Sequence, residues 1–178
     1  QGRRLYRNVA RAARGRMLNA GGGTGCSIEP AFGEQGWIMP RITRPEDASP
    51  AFQAAWNAHD MLAFGDLFHA DATFVNRFGH YVRGVDEIVA LHRSIHETIY
   101  RDSTLKNELI DVVPVGEDAA VTHFWTRLTT GTAHPAGPHE IDTLIMAVLT
   151  RAGDEWRILA LENVTLTNPR TGEPILRE

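Results

Sequence analysis

The stretch LFHADATFVNRFGHYVRGVDEIVALHR, residues 67–93, decides the fold. Within it DATFVNRF alternates as a strand, Phe78-Gly79 turns the chain, and HYVRG returns as the second arm of a hairpin. After Gly84 the period changes. Val85, Ile88 and His92, and beyond the stretch Ile95 and Ile99, recur at helical spacing and predict a helix.

Upstream, Phe52, Trp56, His59 and Ala63 fall on one stripe of a first helix, with Asp47 or Ser49 as its cap and Pro50 in its first turn. AFGDLF makes a short second helix that turns Phe64, Leu67 and Phe68 inward. Downstream the chain reads as strand throughout: TLKNELIDVVPV, AAVTHFWTRLTTGT, EIDTLIMAVLTR and EWRILALENVTLTN. Short turns at Gly116-Glu117-Asp118 and Ala152-Gly153-Asp154, and a loop holding His134, Pro135, Gly137 and Pro138, separate them. Long β-branched strands joined this way describe an antiparallel meander. Helices first and sheet afterwards place the protein in the α+β class, three helices packed on one face of a curved, mainly antiparallel sheet.

The chain has 178 residues, 43% hydrophobic and 22% charged, enough for one well-buried domain and an appendage. No apolar run approaches the roughly 18 residues of a membrane-spanning helix, so no membrane partner is expected. Cys26 is the single cysteine, which excludes an internal disulfide framework and a cysteine-based zinc site and fits a cytoplasmic location. The net charge of −4 hides a split: Arg3, Arg4, Arg7, Arg11, Arg14 and Arg16 face only Glu29 and Glu34 in residues 1–38. Residues 39–178 are therefore strongly acidic and would repel a phosphate backbone, which argues against a nucleic-acid partner.

Residues 1–38 read as a basic, Gly-containing extension, disordered or upstream of a start at Met17 or Met39, in front of one domain over 39–178. The segment lacks the apolar centre of a secretory signal, and its first twenty residues lack the serines of a transit peptide. MLNAGGGTGCSIE, residues 17–29, looks like the cofactor loop of S-adenosylmethionine-dependent methyltransferases. No strand precedes it, Pro30, Gly33 and Gly36 break the helix that should follow, and no βαβ alternation begins after Met39. The loop is a decoy, and no cofactor is expected.

The order of elements, with AAWNAHD, LFHADATFVNRFG, VRGVDEIVALHR and the closing EWRILALEN, resembles the nuclear transport factor 2-like superfamily over about residues 45–167. Within it the chain is most similar to the SnoaL-like, SgcJ/EcaC-type proteins. The resemblance implies an NTF2-like (cystatin-like) cone in which helices and concave sheet enclose an apolar pocket. It also implies a homodimer formed through the open sheet face. Activity does not follow, because the superfamily holds isomerases, cyclases, dehydratases and non-catalytic binding modules.

Inward polar residues of such a cone are the candidates for a site. Asn76 matches the position of the general-base aspartate in steroid isomerases of this fold, yet an amide takes no proton from carbon at neutral pH. It either hydrogen-bonds a substrate oxygen or is a core amide; Phe74 and Phe78 share its face by alternation. His123, Trp125 and Arg127 alternate along one strand and offer a base, an aromatic wall and a fixed cation, on the reading that they face the pocket. Asp142 lies on a side shared with Leu144 and Met146, where burial would raise its pKa and suit it to acid or base work. Asn163 fits the pattern of similar proteins, whereas Glu162 stands where they often carry histidine.

His59 and His92 lie on helical apolar stripes and read as pocket wall. His92 and His96 are one turn apart, but no third ligand is evident, so no metal is expected. Two functions follow. In the first, His123 and Asp142 exchange protons, Arg127 and Asn76 hold oxygens, and Trp56 and Trp125 wall a small hydrophobic, polyketide-like substrate. In the second, the same pocket belongs to a non-catalytic ligand-binding or dimerisation module.

Overall fold

The computed structural model describes residues 40–178; the expectations for residues 1–38, the glycine loop included, lie outside the described residues. A 3₁₀ turn, Pro45–Asp47, leads into α1 (Ala48–Asn57). Asp47 stands at the cap position, but its carboxylate turns back to accept from the Thr43 hydroxyl (2.6 Å) and the Thr43 and Arg44 amides (both 3.2 Å). The expected single helix through His59 and Ala63 is two helices. His59 takes φ 52, the left-handed conformation with which helices commonly end, and the Asp60 amide reaches back to the Ala55 carbonyl at 3.3 Å. Asp60 then caps α2 (Met61–Asp66), its Oδ1 accepting from the Leu62 and Ala63 amides at 3.0 Å each.

The hairpin of the opening stretch is β1 (Phe68–Val75) and β2 (Tyr81–Arg83). Phe68 belongs to the strand and not to the second helix. Gly84, at φ 89, hands the chain to α3 (Val85–His96), which buries Ile88, His92 and His96. The long strands are β3 (Thr104–Pro114), β4 (Ala119–Thr129), β5 (Glu140–Ala152) and β6 (Glu155–Thr165). They form one sheet in the order β2-β1-β6-β5-β4-β3, antiparallel except where β6 runs parallel to β1.

Burial shows which face of the sheet the helices cover. On β4, Ala120, Thr122, Phe124, Thr126 and Leu128 are buried while Val121, His123, Trp125 and Arg127 are only half-buried. The register sets Phe124 opposite Ile145 and Leu128 opposite Ile141, so these residues, with Ala147 and Leu149, face the helices. The opposite, outer face carries Val121, His123, Trp125 and Arg127 beside Val148, Met146, Leu144 and Asp142. At one end of the sheet β1, β4 and β6 finish while β3 and β5 begin; the register pairs Thr129 with Glu140, Thr143 with Thr165, and Val75 with Glu162.

Candidate functional site

Rings fill the space between helices and sheet. Phe64, wholly buried, has its ring 5.1 Å from that of Phe52 and 5.4 Å from that of Phe68, and Phe52 lies 6.1 Å from Phe124. His92 stands among them, 4.4 Å from Phe64 and 4.8 Å from Phe74 between ring centroids. Its Nδ1 donates to the Ile88 carbonyl at 2.8 Å, and burial pushes its pKa down to about 4. A neutral imidazole is the form such a site tolerates. Trp56, Phe74 and His92, expected as pocket wall, are therefore core.

Toward the end of the sheet where β3 begins, the packing becomes more polar. Trp56 donates from Nε1 to the Ser103 hydroxyl (3.2 Å), which donates to the Tyr100 carbonyl (2.8 Å). Trp56 also packs edge-on against His96 at 4.3 Å. His96 is 6% exposed, and burial, reinforced by the neighbouring His59 and His92 rings, drives its pKa down to about 4. Its Nδ1 lies 2.7 Å from Nδ1 of His59, and its buried Nε2 has no partner among the described residues. A cleft of about 480 Å³ opens beside this pair, with Ala58, Met61, Leu62 and Arg93 in its wall.

The Tyr100 ring stacks on His134 at 5.7 Å with 13° between planes, and His134 meets His139 at 4.6 Å. Arg77 reaches the Tyr100 hydroxyl at 3.5 Å. Burial, then His139 and Arg77, hold His134 below the usual imidazole range. Asn163, opposite the buried Ile145, faces the helices. Its Oδ1 and the nearby Thr143 Oγ1 are buried without a partner among the described residues.

The remaining expected residues lie elsewhere. His123, Trp125 and Arg127 are on the outer face, not the pocket side, because the even-numbered residues of β4 are the ones that pack under the helices. Asp142 is on the outer face too, 5% exposed, and accepts from Arg127 Nε (2.8 Å), Arg127 Nη2 (2.7 Å) and the Arg177 amide (2.6 Å). The Arg127 guanidinium holds its carboxyl below the usual range, the reverse of the raised pKa that burial alone suggested. In return the Arg127 pKa is raised by its bond to Asp142. A carboxylate so paired is a poor proton donor. His123 bonds Asp111 across the strand pair at 2.8 Å, outside the cone.

The C-terminal segment completes this outer network. The Arg177 carbonyl accepts from Arg127 (2.9 Å), and its guanidinium lies 5.0 Å over the Trp125 ring and reaches Glu108. Asn76 organises the hairpin turn, its Oδ1 accepting from the Phe78 and His80 amides at 3.0 Å each, and Phe78 is 66% exposed. Neither borders the cleft at His59 and His96. Among the described residues no three His, Cys, Asp or Glu side chains gather as metal ligands.

Sequence reasoning passed over Tyr100, Ser103, His134 and His139. The signal available for the histidines was their concentration in AHPAGPHE, a loop too long for a tight hairpin.

The family model described as SnoaL-like domain matches residues 50–159. The chain belongs to the SnoaL-like domain family. Among solved structures it is similar to a nuclear transport factor 2 (NTF2-like) superfamily protein from Salmonella enterica. That pair has a TM-score of 0.63 and 17% identity, over 73% of this chain and 94% of that one. It is likewise similar to a ketosteroid isomerase-like protein from Erwinia carotovora atroseptica, with TM-score 0.61 and 18% identity, over 69% and 94% of the two chains. A domain of unknown function with a cystatin-like fold from Nostoc punctiforme gives TM-score 0.59 and 24% identity, over 67% and 73%. These likenesses establish the NTF2-like, cystatin-like fold. No curated protein matches the chain in sequence.

Proposed function

We propose that this SnoaL-like protein binds a small, largely apolar molecule carrying a hydroxyl or carbonyl group, as a pocket protein of the SgcJ/EcaC type. The ligand lies on the helix side, at the end of the sheet where β1, β4 and β6 finish. The observation that carries this reading is the pair of polar atoms left over there: Asn163 Oδ1 and Thr143 Oγ1, both buried and both unpartnered among the described residues. Each unpaired buried group costs about 1–3 kcal/mol, which a bonded ligand group relieves. Fold membership supports the same class, since this fold serves small-molecule binding and isomerase-type proteins. The geometry favours binding over acid/base catalysis by His123, Asp142 and Arg127, because all three lie across the sheet from the cone.

The outer face supports a homodimer. Besides the half-buried Leu144, Met146 and Val148, it presents Val113 and Val164 at 47% and 57% exposure. A second copy laid on this face covers that apolar surface.

The test is a thermal shift of the full chain against aromatic polyketides and steroids, alongside Asn163→Leu and Thr143→Val. A ligand at a hundredfold excess over its dissociation constant stabilises the folded state by about 2.7 kcal/mol. The shift should vanish in both variants while the unliganded midpoints hold or rise, because removing an unpartnered polar atom is not destabilising in itself. A shift that survives both substitutions, or none with any compound, sinks the binding reading. Sedimentation velocity tests the dimer: Val164→Glu should yield monomer, and an unchanged species overturns the face assignment.

A further inference from the structure

We propose that His59 and His96 form a proton-sharing imidazole pair that fixes Nε2–H of His59 as the hydrogen-bond donor of a second ligand site, the cleft between the α1–α2 corner and α3. The cleft takes a small molecule bearing one weakly acidic hydroxyl, a phenol or an enol, as its oxyanion. This site is separate from the proposed one at Asn163 and Thr143.

Three independent features lead there. The first is the 2.7 Å between the two Nδ1 atoms. Two imidazoles meeting at that distance must share one proton, because two lone pairs or two N–H groups would repel. The second is backbone conformation: His59 sits at φ 52, at a helix end where glycine or asparagine is the usual occupant. Among positive-φ residues of the described chain it is the only one that is not glycine. Holding a histidine in this conformation costs free energy, which points to a role for its side chain. The third is the unpartnered Nε2 of His96. With no acceptor for a proton on that atom, the ring is best served by keeping its proton on Nδ1 and directing it to His59 Nδ1. His59 then carries its own proton on Nε2, toward the cleft.

The pair acts through one donor. The bridging proton stays between the two Nδ1 atoms, Nε2–H of His59 donates to the ligand oxygen, and the hydroxyl proton leaves to solvent as the bound molecule becomes an oxyanion. His96 is a positioning residue, with Trp56 against its ring at 4.3 Å. The charged and titratable groups around the pair are few. Asp60 is spent capping α2, His92 is held neutral in the core, and Arg93 and Glu97 stand on the cleft rim. Arg93 has no ion pair among the described residues and is the cation available to a new oxyanion. Glu97 disfavours a second negative charge, so the site selects a monoprotic hydroxyl over a phosphate. Ala58, Met61 and Leu62 supply the apolar wall, and about 480 Å³ suits a single ring with substituents.

The probe is 4-nitrophenol, whose phenolate is yellow, added to the full chain at a pH where the free phenol is mostly protonated. Bound probe should show the phenolate band. His59→Asn keeps a residue that tolerates positive φ and should lose the band; His96→Phe keeps a ring against Trp56 and should reduce it severalfold. In the wild type, imidazole nitrogen NMR should place a proton on Nε2 of His59 and none on Nε2 of His96. A proton on Nε2 of His96, or a band unchanged in His59→Asn, overturns the proposal. So does stoichiometric zinc uptake lost in both variants, which would make the pair a metal site. None of these readouts involves Asn163 or Thr143, so failure here leaves the binding reading standing.

Discussion

Substituting His92 by phenylalanine should make the protein much less sensitive to acid, and the size of the effect follows from the structure. His92 is 4% exposed inside a cage of rings, and its pKa falls from 6.5 to about 4 on folding. The unfolded chain therefore binds a proton that the folded chain refuses. Stability is whole above pH 6.5 and drains away as the pH falls toward 4, which is the sign for a depressed histidine. Linkage with those two values gives a loss of about 2 kcal/mol by pH 5 and about 3 kcal/mol by pH 4 from this residue alone.

Phenylalanine fills a similar volume among the same rings. The lost Nδ1–H bond to the Ile88 carbonyl leaves no orphan, since that carbonyl keeps its helical amide partner. At neutral pH the swap should cost under about 1.5 kcal/mol, the range for near-isosteric core changes. Urea unfolding from pH 7.5 to 4 on both proteins gives a difference curve from which the carboxylates shared by both cancel. That curve should bend below pH 6.5 and favour the variant by pH 4. Parallel curves would show that His92 is not held neutral by burial and would refute the reasoning.

Three further outcomes are expected. Asp142→Asn should lower stability at neutral pH and flatten the acid limb near and below the ordinary carboxyl value of 3.8, because a depressed carboxylate contributes above that pH and loses its contribution as it protonates; urea midpoints across pH 2–7 check it. Phe64→Ala should cost about 3–5 kcal/mol by urea unfolding, against a change within about 0.5 kcal/mol for Leu62→Ala, since Phe64 is 0% and Leu62 72% exposed. A Cβ at Gly131 would run into the Asp102 carboxylate, which accepts from the Ala133 amide at 3.1 Å. Gly131→Ala should therefore lower the thermal midpoint, and less so in an Asp102→Ala background, as a double-mutant cycle will read.

Much of the fold was legible because period and punctuation agree. The hairpin, α3 and β4 carry clear patterns, whereas β3 shifts register between Leu109 and Asp111 and the β5–β6 pair between Val148 and Leu149. The facing of β4 was not legible from that strand alone, because both of its sides mix apolar and polar residues: Phe124 and Leu128 on one, Val121 and Trp125 on the other. The deciding signal lay across the turn. Counting back evenly around the loop between Thr129 and Glu140 sets Arg127 opposite Asp142, and a charged pair of that kind belongs on the face without helices. The corner at His59 was hidden for a different reason. The apolar stripe continues through it in sequence, and only Asp60 as a cap two residues before Leu62 marks the break. Asn76 was misplaced because Asn-Arg-Phe-Gly is a turn sequence whose amide serves its own backbone.

The histidines tie stability to ligand binding at this end of the molecule. A core built only of Phe and Leu would be indifferent to pH, whereas His92 and His96 fold only as neutral rings, each with its pKa near 4. Any ligand that requires them neutral therefore binds with an affinity that falls as acid unfolds the chain, and in turn protects the chain from acid by mass action. The two proposed sites differ in this respect. A molecule on Asn163 and Thr143 touches no titrating group and should raise stability equally at pH 7 and pH 5. A phenol in the His59–His96 cleft binds as its oxyanion and releases its proton to solvent, so its stabilisation should be larger at pH 7 than at pH 5. Measuring ligand-induced stabilisation at those two pH values separates the sites without any substitution.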